Sequence, residues 1–257
     1  ATNRFRHWLA VEYTGLSNRV LRIGYTQEPW MIEPNAVRPT LFDTADYYGK
    51  GGLSEEYLGQ ALGTRRSDAL IATKFGLALP GQPETGGASR RYILSALEAS
   101  LKRLGTEWID VYQLHSPDTR TPIDETLGAL EELRLAGKIR AYGCSNLSAT
   151  QLLEAVRIAE SADFAGFAVS QDEYNLLNRG IETGVIPVLQ DNGMGLFPYF
   201  PLAAGLLTGR FQDLGNVPAS ARLRQRPEVE KHYMIPTNFE AVEKLRAFVE
   251  DRGKTLL

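Results

Sequence analysis

The chain has 257 residues, a formal net charge of −3, 43% hydrophobic and 23% charged residues, which describes a globular protein with room for a large core and no cationic surface for nucleic acid. Its single cysteine, Cys144, excludes an intramolecular disulfide. No uninterrupted apolar run reaches membrane-spanning length and the N-terminus lacks an apolar signal core, so a cytoplasmic protein without a membrane partner is expected.

Taken in chain order, residues 20–24 form the first apolar, β-branched run. The stretch 25–38 carries Pro29 and Pro34, and Pro39 follows; these oppose a helix, and a break in the chain is expected there. Further strand-like runs cover residues 40–43, 69–73, 109–114, 141–145, 168–171 and 195–199. Helical stretches lie between them. Thr121 is predicted to cap one, with Pro122 at its first position and Asp124 in its first turn. Ser148-x-x-Gln151 and Thr237-x-x-Glu240 read as capping boxes, and Gly63, Gly105, Gly137 and Gly253 as stops.

Alternating strands and helices predict an α/β fold with a parallel sheet. The Gly-x-Gly-x-x-Gly turn of a dinucleotide-binding doubly wound sheet is absent, because Gly49-Lys50-Gly51-Gly52 has a different spacing. Polar residues at the ends of several successive strands favour a barrel instead. Seven strands can be counted where a (β/α)8 TIM barrel has eight. The eighth strand is therefore expected beyond Leu257, after an amphipathic helix over 237–251, in a longer polypeptide.

Five segments close strands with chemically useful groups. They are Phe42-Asp43-Thr44-Ala45-Asp46-Tyr47-Tyr48-Gly49, Ala72-Thr73-Lys74-Phe75, Asp110-Val111-Tyr112-Gln113-Leu114-His115, Gly143-Cys144-Ser145-Asn146 and Tyr199-Phe200-Pro201-Leu202. They supply a carboxylate, a phenol, an ammonium and an imidazole, a set suited to proton delivery to a carbonyl. A phenol titrates near ~10 and is a weak acid at neutral pH, but an ammonium beside it stabilises the phenolate. Tyr47 rivals Tyr48 as the phenol, and Asp46 competes with Asp43 as the carboxylate. Cys144 reads as core, and no His/Cys/Asp spacing signals a metal.

In this order, from about Leu41 to Arg210, the segments resemble the aldo-keto reductase family, NADPH-dependent (β/α)8-barrel oxidoreductases. Thr-Ala-Asp-Tyr-Tyr-Gly and Ser-Pro-Asp resemble the branch holding bacterial reductases and potassium-channel β subunits. The resemblance implies one barrel domain over 1–257 that reduces aldehydes or ketones. It assigns Tyr48 as proton donor, Lys74 and Asp43 as its supporting ion pair, and His115 as the group at the carbonyl oxygen. Ser145, Asn146 and Gln171 would hold the nicotinamide carboxamide and Tyr199 would stack beneath the ring. The segment from Pro201 through Leu202 and Gly205 to Arg210 would follow the pyrophosphate. Phe200 departs from the family's usual small polar residue. The resemblance puts the 2′-phosphate pocket beyond Leu257, so NADPH is implied by resemblance alone. Trp30, Tyr47 and Phe75 are expected pocket walls for a small carbonyl substrate, and no motif specifies an oligomeric state. Two rival readings stand beside the reductase: a slow-turnover, cofactor-holding redox sensor, and a lyase in which Lys74 forms a Schiff base.

Overall fold

The computed structural model describes residues 8–14, 20–26, 40–211 and 213–256, with backbone alone for the first two segments, Thr40 and Lys50. The described strands are β1 (Trp8–Thr14), β2 (Val20–Thr26), β3 (Thr40–Asp43), β4 (Ala69–Phe75), β5 (Ile109–Leu114), β6 (Ile139–Ser145), β7 (Val169–Glu173) and β8 (Gly195–Tyr199). The described helices are α1 (Tyr48–Gly51), α2 (Leu53–Leu62), α3 (Arg90–Leu104), α4 (Ile123–Leu135), α5 (Ala149–Ala162), α6 (Val185–Asp191), α7 (Pro227–Tyr233) and α8 (Pro236–Glu250).

The strands lie side by side in sequence order in one sheet. β3 to β7 are joined by parallel ladders, as the α/β alternation predicts. β2 departs from the expectation: it pairs antiparallel with β3 and with β1, a strand the sequence reading did not include. An antiparallel neighbour needs no crossover helix, and no helix pattern precedes β3 in the sequence. Of residues 25–38, where a chain break was expected, 25 and 26 end β2 and the rest, Trp30 among them, lie outside the described residues.

The chain divides into two compact units, 1–171 with 183–197, and 172–182 with 198–257. In the first, Leu41, Ala72 and Phe197 pack with Leu70, Val111 and Val169 on one face of the strands. Helix α3 buries Ile93, Ala96, Leu97, Ser100, Leu101 and Leu104, the stripe of a period near 3.6. Two glycines set close approaches. A Cβ on Gly59 of α2 would lie 2.5 Å from the Leu104 carbonyl oxygen of α3. A Cβ on Gly143 of β6 would lie 2.6 Å from Val169 Cγ2 and 2.7 Å from its carbonyl oxygen. Gly143→Ala is therefore expected to destabilise by about 1–3 kcal/mol through overpacking between β6 and β7. A denaturant titration with an unchanged midpoint would show that this ladder yields more easily.

In the second unit, Leu206, Leu207, Phe211, Leu223, Val229, Tyr233, Phe239 and Val242 form a separate core around α7, α8 and the turn after β8.

The caps follow the sequence in part. Ser148 and Gln151 form both reciprocal bonds of a capping box at α5. Gly63 and Gly105 cap α2 and α3. Gly137 follows the α4 cap at Ala136, and Gly253 lies two residues past the α8 cap at Asp251, both with positive φ. Thr121 does not cap α4. Pro122 takes that position in extended backbone, and the Thr121 hydroxyl donates to Asp118 Oδ2 at 2.8 Å. Thr237 does not cap α8 either, because the helix begins at Pro236, whose fixed φ suits a first turn.

Candidate active site

The site starts from the parallel register. Asp43 ends β3, and the loop beyond it stays tied to β4 through Thr44 N–H to the Ala72 carbonyl (2.9 Å) and Asp46 N–H to the Lys74 carbonyl (3.1 Å). Tyr48 N–H then bonds the Ala45 carbonyl at 3.1 Å, closing a turn that leads into Gly49, where φ is +73°. This route carries the Tyr48 phenol back over the end of β4.

Lys74 is 1% exposed. Its ammonium donates to Asp43 Oδ1 at 2.6 Å, to the Thr44 carbonyl at 2.9 Å and to the Tyr48 hydroxyl at 3.5 Å. An ammonium has three N–H bonds, so these partners match its full donor set. The shortest bond is charge-assisted and buried, where Coulomb attraction is strong. The Lys74 nitrogen also lies 5.0 Å from the Tyr48 ring centroid. Tyr48, rather than Tyr47, brings its oxygen to the ammonium.

His115 follows β5. Its N–H bonds the Phe75 carbonyl at 2.8 Å, and its ring meets Tyr48 edge-on with centroids 5.7 Å apart. Tyr47 approaches the same imidazole at 6.5 Å and is 38% exposed. The fold thus gathers Asp43, Tyr48, Lys74 and His115 at three neighbouring strand ends. Phe75 corrects an expectation: it is fully buried against the Tyr112 ring at 4.7 Å, so it is core and not a pocket wall. Residues alternate sides along a strand, which turns Phe75 away from Lys74.

The next strand ends carry amides. Ser145 Oγ donates to the Gln171 carbonyl at 2.7 Å, and Asn146, at φ +64°, donates through Nδ2 to Ser145 Oγ and to the His115 carbonyl. Gln113 Nε2 donates to Gln171 Oε1 at 3.4 Å, while Gln113 Oε1 is buried with no hydrogen-bond partner. Gln113 lies in the β5 motif, but a strand-end glutamine carries no functional signal in sequence until its register is known. Cys144 is buried, with Sγ 3.7 Å from Ser170 Oγ. Among the described residues no group of three or more His, Cys, Asp or Glu could hold a metal.

A second polar layer lies behind Lys74. Glu55 of α2 is fully buried and accepts from Thr73 Oγ1 at 2.5 Å and from Arg103 Nε of α3 at 2.7 Å. Asp46 is 2% exposed, and its Oδ1 has no hydrogen-bond partner. Burial first, and then the Glu55 charge, pushes the Asp46 carboxyl up to about 7.

In the second unit, Tyr199 ends β8 and its ring meets Phe200 at 5.5 Å. Phe200, Ala203, Ala204 and Gly205 all take positive φ, strained for the three residues that carry a Cβ. Asn175 Nδ2 bonds the Phe200 carbonyl at 3.0 Å and the Tyr233 hydroxyl at 2.8 Å, and the same hydroxyl bonds Glu173. Sequence reading missed Asn175, whose partners lie 25 and 58 residues away. Ala203 and Gly205 direct their N–H groups to Phe200 and Leu202 carbonyls, so these two amides are engaged within the turn. Pro201 has no N–H, and Leu202 packs on the second core. Arg210 is exposed, its guanidinium 5.1 Å from the Phe211 ring.

The aldo/keto reductase family profile matches residues 35–257. The chain belongs to the aldo/keto reductase family. It is 37% identical over 221 residues to a probable voltage-gated potassium channel subunit beta from Arabidopsis thaliana, covering 84% of this chain and 66% of that one. It is 32% identical over 227 residues to L-glyceraldehyde 3-phosphate reductase from Escherichia coli K12, covering 84% and 65%. Among solved structures it resembles the glycerol dehydrogenase AKR11B4 from Gluconobacter oxydans at TM-score 0.70 and 35% identity, covering 84% of this chain and 65% of that one. The chain spans just under two thirds of the length of these relatives. Aldo/keto reductases are (β/α)8-barrel oxidoreductases, and the parallel strands β3 to β7 with their intervening helices accord with that fold. No helix among the described residues is long and apolar enough to cross a membrane.

Proposed function

We propose that this aldo/keto reductase reduces an aldehyde or ketone to an alcohol using NADPH, with Tyr48 as the proton donor. The observation that carries the reading is the buried Lys74 ammonium bonded to both Asp43 and the Tyr48 hydroxyl. When bound, the nicotinamide supplies the hydride to the carbonyl carbon. Tyr48 gives its hydroxyl proton to the carbonyl oxygen and is left as phenolate. Lys74 stabilises that charge across 3.5 Å, and Asp43 holds Lys74 in place. His115, packed edge-on against Tyr48, orients the carbonyl oxygen.

The residues present suit a nicotinamide carboxamide. Ser145, Asn146 and Gln171 offer hydroxyl and amide donors and acceptors, and the unpartnered Gln113 Oε1 is a buried acceptor in the same cluster. Tyr199 as the stacking ring, and Phe200, Pro201, Leu202, Gly205 and Arg210 as the pyrophosphate segment, belong to the same proposal and rest on the motif resemblance. The family profile crosses both compact units, which supports the reading of one barrel domain acting on a small molecule; a cytoplasmic location belongs to the same proposal.

The test is steady-state reduction of a reactive aldehyde such as nitrobenzaldehyde, followed by loss of NADPH absorbance and repeated with NADH. Turnover faster with NADPH is expected. The 37% identity to plant channel β subunits favours one second reading, a cofactor-holding redox sensor. Tight NADPH binding with negligible turnover would select it. The three bonds of Lys74 argue against a Schiff-base lyase, since a buried, fully engaged ammonium is not a nucleophile. Borohydride treatment with a carbonyl compound is expected to leave Lys74 unmodified.

A further inference from the structure

The layer behind Lys74 has an unbalanced charge count. Two carboxyl groups, Asp46 and Glu55, are buried in it with one guanidinium, Arg103. That guanidinium is committed to Glu55 through Nε at 2.7 Å and to Ser100 through Nη2 at 3.1 Å. The other cation whose charge Asp46 feels, Lys74, is committed to Asp43. Asp46 is left with a buried carboxyl oxygen that has no partner. A buried carboxylate without a matching cation is strongly disfavoured against its neutral form.

Charge couples Asp46 to Glu55 of α2, Arg103 and Tyr92 of α3, Lys74 of β4 and Tyr112 of β5, and the Tyr47 backbone N–H donates to its carboxyl group, which lowers it only in part. The Tyr112 hydroxyl is fully buried and unpartnered too, and the charges it feels most are those of Asp46 and Glu55. Asp46 is also tied to the proton-delivery group through the backbone. Its N–H bonds the Lys74 carbonyl at 3.1 Å, and it stands two residues before Tyr48.

We propose that Asp46 is a positioning residue for the reductase reaction: it is held as a neutral carboxylic acid behind Lys74, and its ionisation places a negative charge there that opposes formation of the Tyr48 phenolate. This rests on the reading of Tyr48 as proton donor. On ionisation the Asp46 proton passes to solvent water, and no other bond changes. The pH sense follows from the raised carboxyl: Asp46 is neutral below about 7 and charged above it. Carbonyl reduction should therefore weaken as pH rises through neutrality, by about three- to tenfold for one added charge near the phenol.

The experiment combines three readouts on the full chain. Protein labelled at Asp Cγ and Tyr Cζ is titrated by carbon NMR, with Asp46→Asn and Tyr48→Phe assigning the signals. Asp46 Cγ is expected to titrate near neutrality, and Tyr48 Cζ to show an inflection at the same midpoint that Asp46→Asn abolishes. The kcat profile should lose its neutral inflection in the same variant.

Unfolding supplies the third readout. The native state keeps a proton that an unfolded Asp, titrating near 3.8, releases. That contribution is present below about 4 and lost as pH rises towards 7, so the Asp46→Asn midpoint should climb relative to wild type over that range and level off above it. If Asp46→Asn does not fold, Glu55→Gln should move the Asp46 midpoint to lower pH. Titration of Asp46 below pH ~5 would overturn the proposal, because that is the ordinary range for an exposed carboxylate. So would a Tyr48 signal and a kcat profile blind to it, or an unmoved midpoint in Glu55→Gln. A protein that reduces no carbonyl, yet shows the joint inflection, would refute the reductase reading and leave the Asp46–Tyr48 coupling standing.

Discussion

Tyr48→Phe is expected to lower kcat for carbonyl reduction by about 10²–10⁴-fold, the usual contribution of a positioned general acid, while NADPH still binds. The phenol oxygen is the one atom removed, and in the fold that atom faces Lys74 at 3.5 Å. The ring would remain, edge-on to His115 at 5.7 Å, so packing around the imidazole should survive. The loss should therefore fall on the chemical step rather than on cofactor affinity. Comparing kcat with cofactor binding measured by fluorescence separates the two. Near-normal turnover would remove Tyr48 from the mechanism, and an inactive Tyr47→Phe beside it would transfer the role to the neighbouring phenol.

Lys74→Met should act on both stability and rate. The Lys74 and Asp43 side chains are 2% and 3% exposed. Removing one member of such a pair leaves an uncompensated charge, which costs about 3–5 kcal/mol in comparable buried pairs. Met roughly matches the stem of lysine, so cavity formation adds little. The Thr44 carbonyl and the Tyr48 hydroxyl lose a donor at the same time. Chemical denaturation at neutral pH should show the stability loss, and steady-state kinetics a fall in kcat at least as large as that of Tyr48→Phe. A variant within about 1 kcal/mol of wild type would mean that the ion pair is solvated in solution, as surface pairs are.

The candidate site was legible because of one architectural rule. In a parallel sheet every strand delivers its C-terminal residue to the same side, so short motifs such as Asp43 to Gly49, Lys74 and His115 can be read as neighbours without tertiary information. Strand extents followed from apolar runs; the structure lengthens β2 to Thr26, β4 to Phe75 and β6 back to Ile139, and shifts β7 to Val169–Glu173. What escaped reading depends on pairing across the chain. Glu55 lies in an ordinary helical stretch and reads as a solvated residue, yet it is fully buried, because Arg103 reaches it from 48 residues away. Phe75 sits in the same strand end as Lys74 but faces the opposite side. Thr121 satisfied the sequence rule for a helix cap, and Asp118 captured its hydroxyl first. The direction of β2 was misread because an apolar run carries no polarity of its own.

Gly59 gives the buried layer a mechanical dependence. Helix α2 rests there directly on the α3 backbone, one turn from Glu55 and beside the stretch that carries Arg103. Any side chain at this point would act as a shim and lift one helix from the other. Lifting them lengthens the Glu55–Arg103 contact and opens a path for solvent behind β4. With Asp46 held neutral by burial as proposed, wider spacing of these two helices would admit water to its carboxyl and make it a stronger acid, so an apolar substitution at Gly59 would be read out as a change of charge.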